Sequence, residues 1–172
     1  DNGLHPAHVG AAAFDGEGTP TKRLCLIGNG TLENLLHSEA TARQFGVHPT
    51  GHAGLGAKVS VGPDWFEVSS SKGVSGAASH LDHRNAGDTF VLIESLNALH
   101  AGVKASQGAF SLPFDGWLVK DGERISVEAA TIAGDIRDVL KGIVHLEPNE
   151  VVTHQGVSPH VWVDGLAITG EA

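Results

Sequence analysis

Residues 108–146 constrain the fold most, because within this stretch the spacing of apolar residues changes from two to that of a helix. The Asp121-Gly122 pair separates two runs of β-forming residues, and such a pair readily adopts the positive φ angles of a hairpin turn. After the hairpin, apolar residues between 136 and 144 recur at helical spacing. Asp135 can accept hydrogen bonds from the first N–H groups of this helix. The stretch therefore predicts a hairpin followed by one amphipathic helix of about three turns.

The rest of the chain predicts short strands separated by turns rich in Gly and Pro. Gly28-Asn29-Gly30 predicts a second hairpin, and Ser38 caps a short helix that Gly46 ends. The unbroken apolar run from Thr89 to Glu94 predicts a strand buried on both faces. We expect about eight to ten strands. The fold class is mainly β (α+β): an antiparallel sheet or barrel-like domain with one amphipathic helix near the C-terminus and one short helix.

The chain of 172 residues is long enough for one domain with a hydrophobic core. We expect residues 1–13 to be a leading segment or linker and residues 14–172 to be the domain. The sequence contains no Met and begins at Asp1, so we also expect it to be part of a longer protein.

Charge and cysteine content exclude several classes of partner. The net charge is −9, with 20 acidic and 11 basic residues, which argues against nucleic acid or an anionic membrane surface. No apolar run is long enough to span a membrane. A single cysteine fits a reducing compartment, so a cytoplasmic location is expected. We expect Cys25, in the first hairpin, to be a small buried apolar residue.

Common catalytic motifs do not occur in the sequence. We find no Gly-x-Ser-x-Gly elbow, no phosphate-binding glycine loop, no Cys-x-x-Cys and no His-Glu-x-x-His. His48 and His52 have the spacing of a zinc-binding pair, but Pro49 and Gly51 disfavour the helix that such a pair needs. Read from the residues alone, the chain is a β-rich domain without a self-contained active site.

Two other functions stay open from the residues. The first is a stand-alone metal-binding module that uses His80, Asp82 and His83, the richest polar cluster in the sequence. The second is a β-sandwich domain that binds a carbohydrate or a protein. Three Trp and no Tyr make a sugar-binding platform less persuasive.

Five ordered blocks resemble the TldD/PmbA family, whose members were called modulators of DNA gyrase and are regarded as metalloproteases. The likeness extends to cyanobacterial members in particular. The blocks are FDGEGTPTKRLCLIGNGTLENLLHSEATARQFG (14–46), HPTGHAG (48–54), LHAGVKASQGAFSLPFDGWLVKDGE (99–123), TIAGDIRDVLKGI (131–143) and SPHVWVDGLAITGE (158–171). The resemblance implies the C-terminal domain of a family member, covering most of residues 14–171.

The resemblance also implies two kinds of subunit and a hollow dimer that cleaves peptides inside. TldD-like subunits carry zinc on an upstream His-Glu-x-x-x-His helix and a late Cys, whereas PmbA-like subunits, also called TldE, lack this site. Residues 149–158 contain no Cys, the sequence has no His-Glu-x-x-x-His motif, and it ends in ITGEA, so the chain resembles the PmbA kind. Ala109 stands where family members often have Asp, so we expect no role of that carboxylate here.

From this resemblance we expect no catalytic residue and no cofactor in the chain itself, with zinc on the partner subunit. The partner would be a TldD-like catalytic subunit or a second copy in a homodimer, and the substrate a peptide. The expected peptide-cleft residues lie in the family's polar blocks: Glu17, Thr19, Thr41, Arg43 and His100.

Overall fold

The computed structural model of the chain describes residues 1–70 and 89–171. The backbone forms two compact units, each built from two segments of the chain. Unit 1 comprises Asp1–Gly73 and Asn149–His160, and unit 2 comprises Val74–Pro148 and Val161–Ala172.

Unit 1 consists mostly of turns and two-residue strands around one short helix. Its elements are β1 (Ile27–Gly28), β2 (Thr31–Leu32), α1 (Glu39–Phe45), β3 (Ala53–Gly54), β4 (Ser60–Val61) and β5 (Phe66–Glu67). β1 pairs with β2 and β3 with β4, both antiparallel. The Asn29-Gly30 turn has positive φ at both residues, so the predicted second hairpin is confirmed.

Helix α1 begins and ends where the sequence predicts. Ser38 is its N-cap, and Ser38 and Thr41 form a reciprocal capping box. Gly46 ends the helix in the left-handed conformation, at φ 68°. Both ends of the helix therefore follow from residues within a few positions of it.

Unit 2 is organised by a long antiparallel hairpin. Its elements are β6 (Thr89–Leu96), α2 (Leu99–Gly102), β7 (Val103–Lys104), β8 (Ala109–Lys120), β9 (Glu123–Asp135), α3 (Ile136–Lys141) and β12 (Ala167–Glu171), while β10 (Ile143–Val152) and β11 (Gly156–Val163) are shared with unit 1. The sheet order is β12-β9-β8-β6, with β7 also on β8. Among residues 1–70 and 89–171, the edge strands of this sheet are β12 and β6, and the sheet does not close into a barrel.

The β8–β9 hairpin places the apolar core. Its turn is Asp121-Gly122, as predicted, and both residues have positive φ. Across the ladder Leu112 lies opposite Ile132 and Phe114 opposite Ala130, and these four side chains form the buried cluster. The mainly β fold class is thus confirmed.

Two sequence predictions about unit 2 are wrong in detail. The amphipathic helix ends at Lys141 instead of near residue 144, because Gly142 caps it and packs close to the carbonyl oxygen of Asp164. Strand β6 is only half-buried, because it is the edge of an antiparallel sheet rather than a central strand covered on both faces.

Among the described residues, no helix has both the length and the apolar character needed to cross a membrane. The predicted linker, residues 1–13, includes Asp1, which is buried in unit 1. The domain boundary at residue 14 stays a prediction.

We predict that Leu112→Ala lowers the free energy of unfolding by about 2–5 kcal/mol, because it leaves a cavity in the buried cluster. Urea unfolding of the whole chain measures this change. Leu99→Ala is the matched control, since the Leu99 side chain is 55% exposed. An equal loss in the two variants would contradict the assignment of the core.

Candidate functional site

The loop at residues 14–20 is organised by the carboxylate of Asp15. Its Oδ1 accepts hydrogen bonds from the backbone N–H groups of Glu17 and Thr19, both at 2.9 Å. Its Oδ2 accepts a third from the N–H of Ala53 at 3.0 Å, which ties the loop to β3. Burial alone would raise the pKa of Asp15, but these backbone donors outweigh it and lower the pKa below its ordinary value.

Glu17 connects this loop to helix α1. Its Oε2 accepts a hydrogen bond of 2.8 Å from the N–H of Glu39, the first residue of the helix. A carboxylate at a helix N-terminus is stabilised by the helix dipole and satisfies one of the free N–H groups. Glu17 thus has a structural contact that the sequence analysis did not anticipate.

The structure places four of the five predicted cleft residues on this loop and on α1. Glu17 and Thr19 belong to the Asp15 loop, and Thr41 is the capping-box residue of α1. Arg43 lies in the last turn of α1 and is exposed. His100 is an exposed residue of α2 in unit 2. Their role in peptide binding stays a prediction.

A buried pair of ionisable side chains lies beside this loop region in unit 1. Asp1 Oδ1 and His52 Nε2 are 3.0 Å apart, and both side chains are fully shielded from solvent. Asp1 Oδ2 accepts hydrogen bonds from the N–H groups of Asp64 and Trp65, each at 3.0 Å. His52 Nδ1 is 3.0 Å from Thr50 Oγ1. The pair therefore connects three parts of unit 1 that are distant in sequence.

Asp64 completes a group of three potential metal ligands. One ligand atom each from Asp1, His52 and Asp64 lies within 4.8 Å of the other two. Asp1 and His52 are buried, and Asp64 is exposed. The sequence analysis missed this group, because its members are far apart in the chain and His52 was considered only with His48.

Burial determines the ionisation of His52. Loss of solvation lowers its pKa below the ordinary value, although the carboxylates of Asp64 and Asp15 act in the opposite direction. His52 is thus held in its neutral form near pH 7, the form in which imidazole binds metals.

A cavity of about 370 Å³ opens against this group. Its walls include His8, Asp15, His52 and Asp64, together with Phe14 and residues of the β3–β4 hairpin. The cavity is thus lined by two carboxylates and two imidazoles as well as by apolar residues.

The family's zinc site, expected on the partner subunit, does not fit the described residues of this chain. Its thiolate ligand has no counterpart here, because the thiol of Cys25 is exposed on the first hairpin, contrary to our expectation of burial. A hydrogen bond with Glu33 raises the pKa of Cys25, which disfavours the thiolate that metals bind. The other predicted metal cluster, His80, Asp82 and His83, lies outside the described residues.

The fold and these polar groups define a mainly β domain with a polar cavity in unit 1. Residues 1–170 match the family model described as the PmbA/TldA metallopeptidase C-terminal domain, and the chain belongs to this family. This confirms the resemblance seen in the sequence, while its particular likeness to cyanobacterial members stays a prediction.

Known relatives agree with this assignment. The chain is 28% identical over 150 residues to the metalloprotease PmbA of Escherichia coli O157:H7, an alignment that covers 87% of this chain and 30% of that protein. A proposed modulator of a DNA gyrase from Thermotoga maritima shares 31% identity at a TM-score of 0.79, over 98% of this chain and 38% of that one. The chain thus spans about a third of the length of these relatives.

A further solved structure supports the fold alone. TldE from Thermococcus kodakarensis has a TM-score of 0.78 at 22% identity, covering 99% of this chain and 39% of that one.

We predict that Asp15→Ala destabilises the protein by about 2–3 kcal/mol, since three backbone N–H groups lose a charged acceptor. The measurement is urea unfolding at pH 7. Asp138→Ala removes an exposed carboxylate of α3 and serves as control, with an expected change of about 0.5 kcal/mol or less. If the two variants unfold alike, Asp15 does not organise its loop.

We also predict that His52 makes the free energy of unfolding depend on pH. Because its pKa is lowered in the folded state, the unfolded state binds more protons as pH falls below the ordinary His value of 6.5. The contribution of the neutral ring to the free energy of unfolding is therefore fully present above that value. It is lost as the pH falls through the folded pKa. The measurement is the free energy of unfolding in EDTA from pH 7.5 to 5.5. It should change less steeply with pH in His52→Gln than in the parent chain, by at most about 1.4 kcal/mol per pH unit. Equal slopes would refute this role of His52.

Proposed function

We propose that the chain is the C-terminal domain of a PmbA/TldE-like subunit that does not cleave peptides by itself. It forms a wall of a peptide cavity and a docking surface for a zinc-bearing TldD-like subunit or, in a homodimer, for a second copy. The assembled enzyme cleaves small or unfolded peptides in the cytoplasm. The match of residues 1–170 to a metallopeptidase C-terminal domain carries this proposal.

The donor groups of the chain support a non-catalytic role. Catalytic zinc sites combine three protein ligands with an open position and a nearby general base. In residues 1–70 and 89–171, the one group with three potential ligands is Asp1, His52 and Asp64. Two of these side chains are buried and hydrogen-bonded to each other, so they are poorly placed to activate water against a peptide.

Exposed apolar side chains support the docking surface. In unit 1 the side chains of Leu32 in the first hairpin, Leu35 between β2 and α1, and Phe45 in α1 are exposed by 60% or more. Large apolar side chains that stay in water favour burial against another protein surface. We assign these side chains to the contact with the partner subunit.

The sheet of unit 2 offers a way to hold an extended peptide. β6 pairs with β8 on one side and, within the described part of the chain, has no strand on the other. An extended chain can add to such an edge through main-chain hydrogen bonds, which bind peptides with little dependence on sequence. Substrate then lies along β6 of unit 2. The peptide contacts of Glu17, Thr19, Thr41 and Arg43 in unit 1 and of His100 in unit 2 are a separate part of the proposal.

The test is reconstitution of the full-length subunit with a TldD-like partner, followed by a peptide-cleavage assay. We expect no cleavage by this chain alone and cleavage by the zinc-loaded pair, because the partner supplies the metal. Cleavage by this chain alone would refute the proposal, as would a partner whose activity and assembly do not change when the subunit is left out.

A pair of variants tests the cleft within the assembled enzyme. Arg43→Ala should raise KM severalfold with little change in kcat, because an exposed cation is lost from the binding surface. Arg124→Ala removes an exposed arginine of β9 and should leave KM unchanged. An equal effect of the two substitutions on KM would mean that Arg43 is not part of the cleft.

A further inference from the structure

We propose that Asp1, His52 and Asp64 form a binding site for one divalent transition-metal ion, with Zn²⁺ and Mn²⁺ as the fitting ions. The site is separate from the family's catalytic zinc, and its role is to clamp unit 1. It does not depend on the proposed function, because binding requires no partner subunit and no peptide.

The spacing of the donor atoms fits an ion. Asp1 Oδ1 and His52 Nε2 are 3.0 Å apart. Two ligand atoms that each lie about 2.1 Å from an ion and subtend a right angle at it are also about 3.0 Å apart. The Asp64 donor lies within 4.8 Å of both, and opposite ligands at about 2.1 Å from one ion are about 4.2 Å apart, so the exposed Asp64 side chain has to move by well under 1 Å. Small movements of the side chains therefore suffice to bring all three donors to one ion.

The hydrogen bonds behind His52 are arranged for a metal ligand. A ligating imidazole donates its other N–H to a neighbouring acceptor, which fixes the tautomer. His52 Nδ1 is 3.0 Å from Thr50 Oγ1, and that hydroxyl can in turn donate to the carbonyl oxygen of His37 at 3.2 Å. This direction of donation leaves the Nε2 lone pair directed toward Asp1.

The same network allows the ring to exchange a proton for an ion. Without metal, neutral His52 carries its proton on Nε2 and donates it to the Asp1 carboxylate, while Thr50 donates to Nδ1. With metal, the proton is carried on Nδ1, Thr50 donates to His37, and Nε2 binds the ion. The number of protons on His52 is the same in both states.

Asp1 keeps its orientation in both states. Its Oδ2 accepts the N–H groups of Asp64 and Trp65, so Oδ1 stays available for a ligand on the His52 side. A carboxylate that is hydrogen-bonded on one oxygen and shielded from solvent is a preorganised ligand.

Asp64 provides access from solvent. It is exposed and lines the cavity of about 370 Å³ that also borders His52. Its Oδ2 lies 2.7 Å from the position that a Cβ on Gly3 would take, and one of its carboxylate oxygens lies within 4.8 Å of the Asp1 donor. An ion can therefore enter through the cavity, and water there can complete its coordination.

Charge and donor type select the ion. Three carboxylates, from Asp1, Asp15 and Asp64, lie near the neutral ring of His52, and a divalent cation would offset their charge. One imidazole nitrogen with carboxylate oxygens suits Zn²⁺ or Mn²⁺ better than Mg²⁺, which prefers oxygen ligands alone.

The test is calorimetric titration of the EDTA-treated, tag-free chain with ZnCl₂ or MnCl₂ at pH 7, with MgCl₂ for comparison. We expect one tight site for Zn²⁺, weaker binding of Mg²⁺, and at least a tenfold loss of Zn²⁺ affinity in Asp64→Asn. Asp64 is exposed, so this variant should fold. Asp138→Asn, on α3, is the matched control and should bind as the parent chain does.

A second measurement follows the tautomer of His52. In ¹⁵N NMR we expect the proton to move from Nε2 to Nδ1 when Zn²⁺ is added, a change that binding at surface histidines would not cause. Absence of a tight site, or binding that is unchanged in Asp64→Asn and leaves the His52 tautomer as it was, would overturn the proposal. The latter result would mean an adventitious ion only. Because peptide cleavage is not measured, neither result bears on the proposed function.

Discussion

Unit 1 depends on hydrogen bonds that backbone N–H groups donate to carboxylates. Apart from its parts of β10 and β11, its strands have two residues each. Its described buried apolar residues are Ala42, Ala53, Trp65 and Val157, so apolar packing alone gives it little cohesion. Asp1 and Asp15 each receive hydrogen bonds from backbone N–H groups, and Glu17 receives one from the start of α1. Such bonds to charged acceptors are worth more than neutral ones. They join the N-terminal residue, the Asp15 loop, helix α1 and the β3–β4 region into one unit.

Unit 2 is stabilised in a different way. A long antiparallel hairpin aligns Leu112 with Ile132 and Phe114 with Ala130, so its cohesion comes from apolar burial on one face of a sheet. This division matches the proposed roles. The polar unit carries the candidate ligands and most of the predicted cleft residues, while the sheet offers a regular edge for an extended peptide.

Residues close in sequence account for the accurate predictions. The turns at Asp121-Gly122 and Asn29-Gly30 and the two ends of α1 depend only on their immediate neighbours. The family, too, was recognisable from short ordered blocks. The errors have tertiary causes. The last helix ends early because Gly142 packs against the distant carbonyl of Asp164, and β6 is half-buried because it is an edge strand among the described residues. The exposure of Cys25 is likewise seen only in the folded chain.

The sequence by itself determined the mainly β class, the two hairpins, the capped helix and the likeness to the family, because each rests on local backbone preferences or on residue order. Only the tertiary structure decided that Asp1, His52 and Asp64 meet. His52 is 51 positions and Asp64 is 63 positions from Asp1, and no local preference relates side chains at such separations. The chain must fold before burial can hold His52 neutral and before the backbone N–H groups of Asp64 and Trp65 can orient Asp1, so the character of the site is a property of the folded unit.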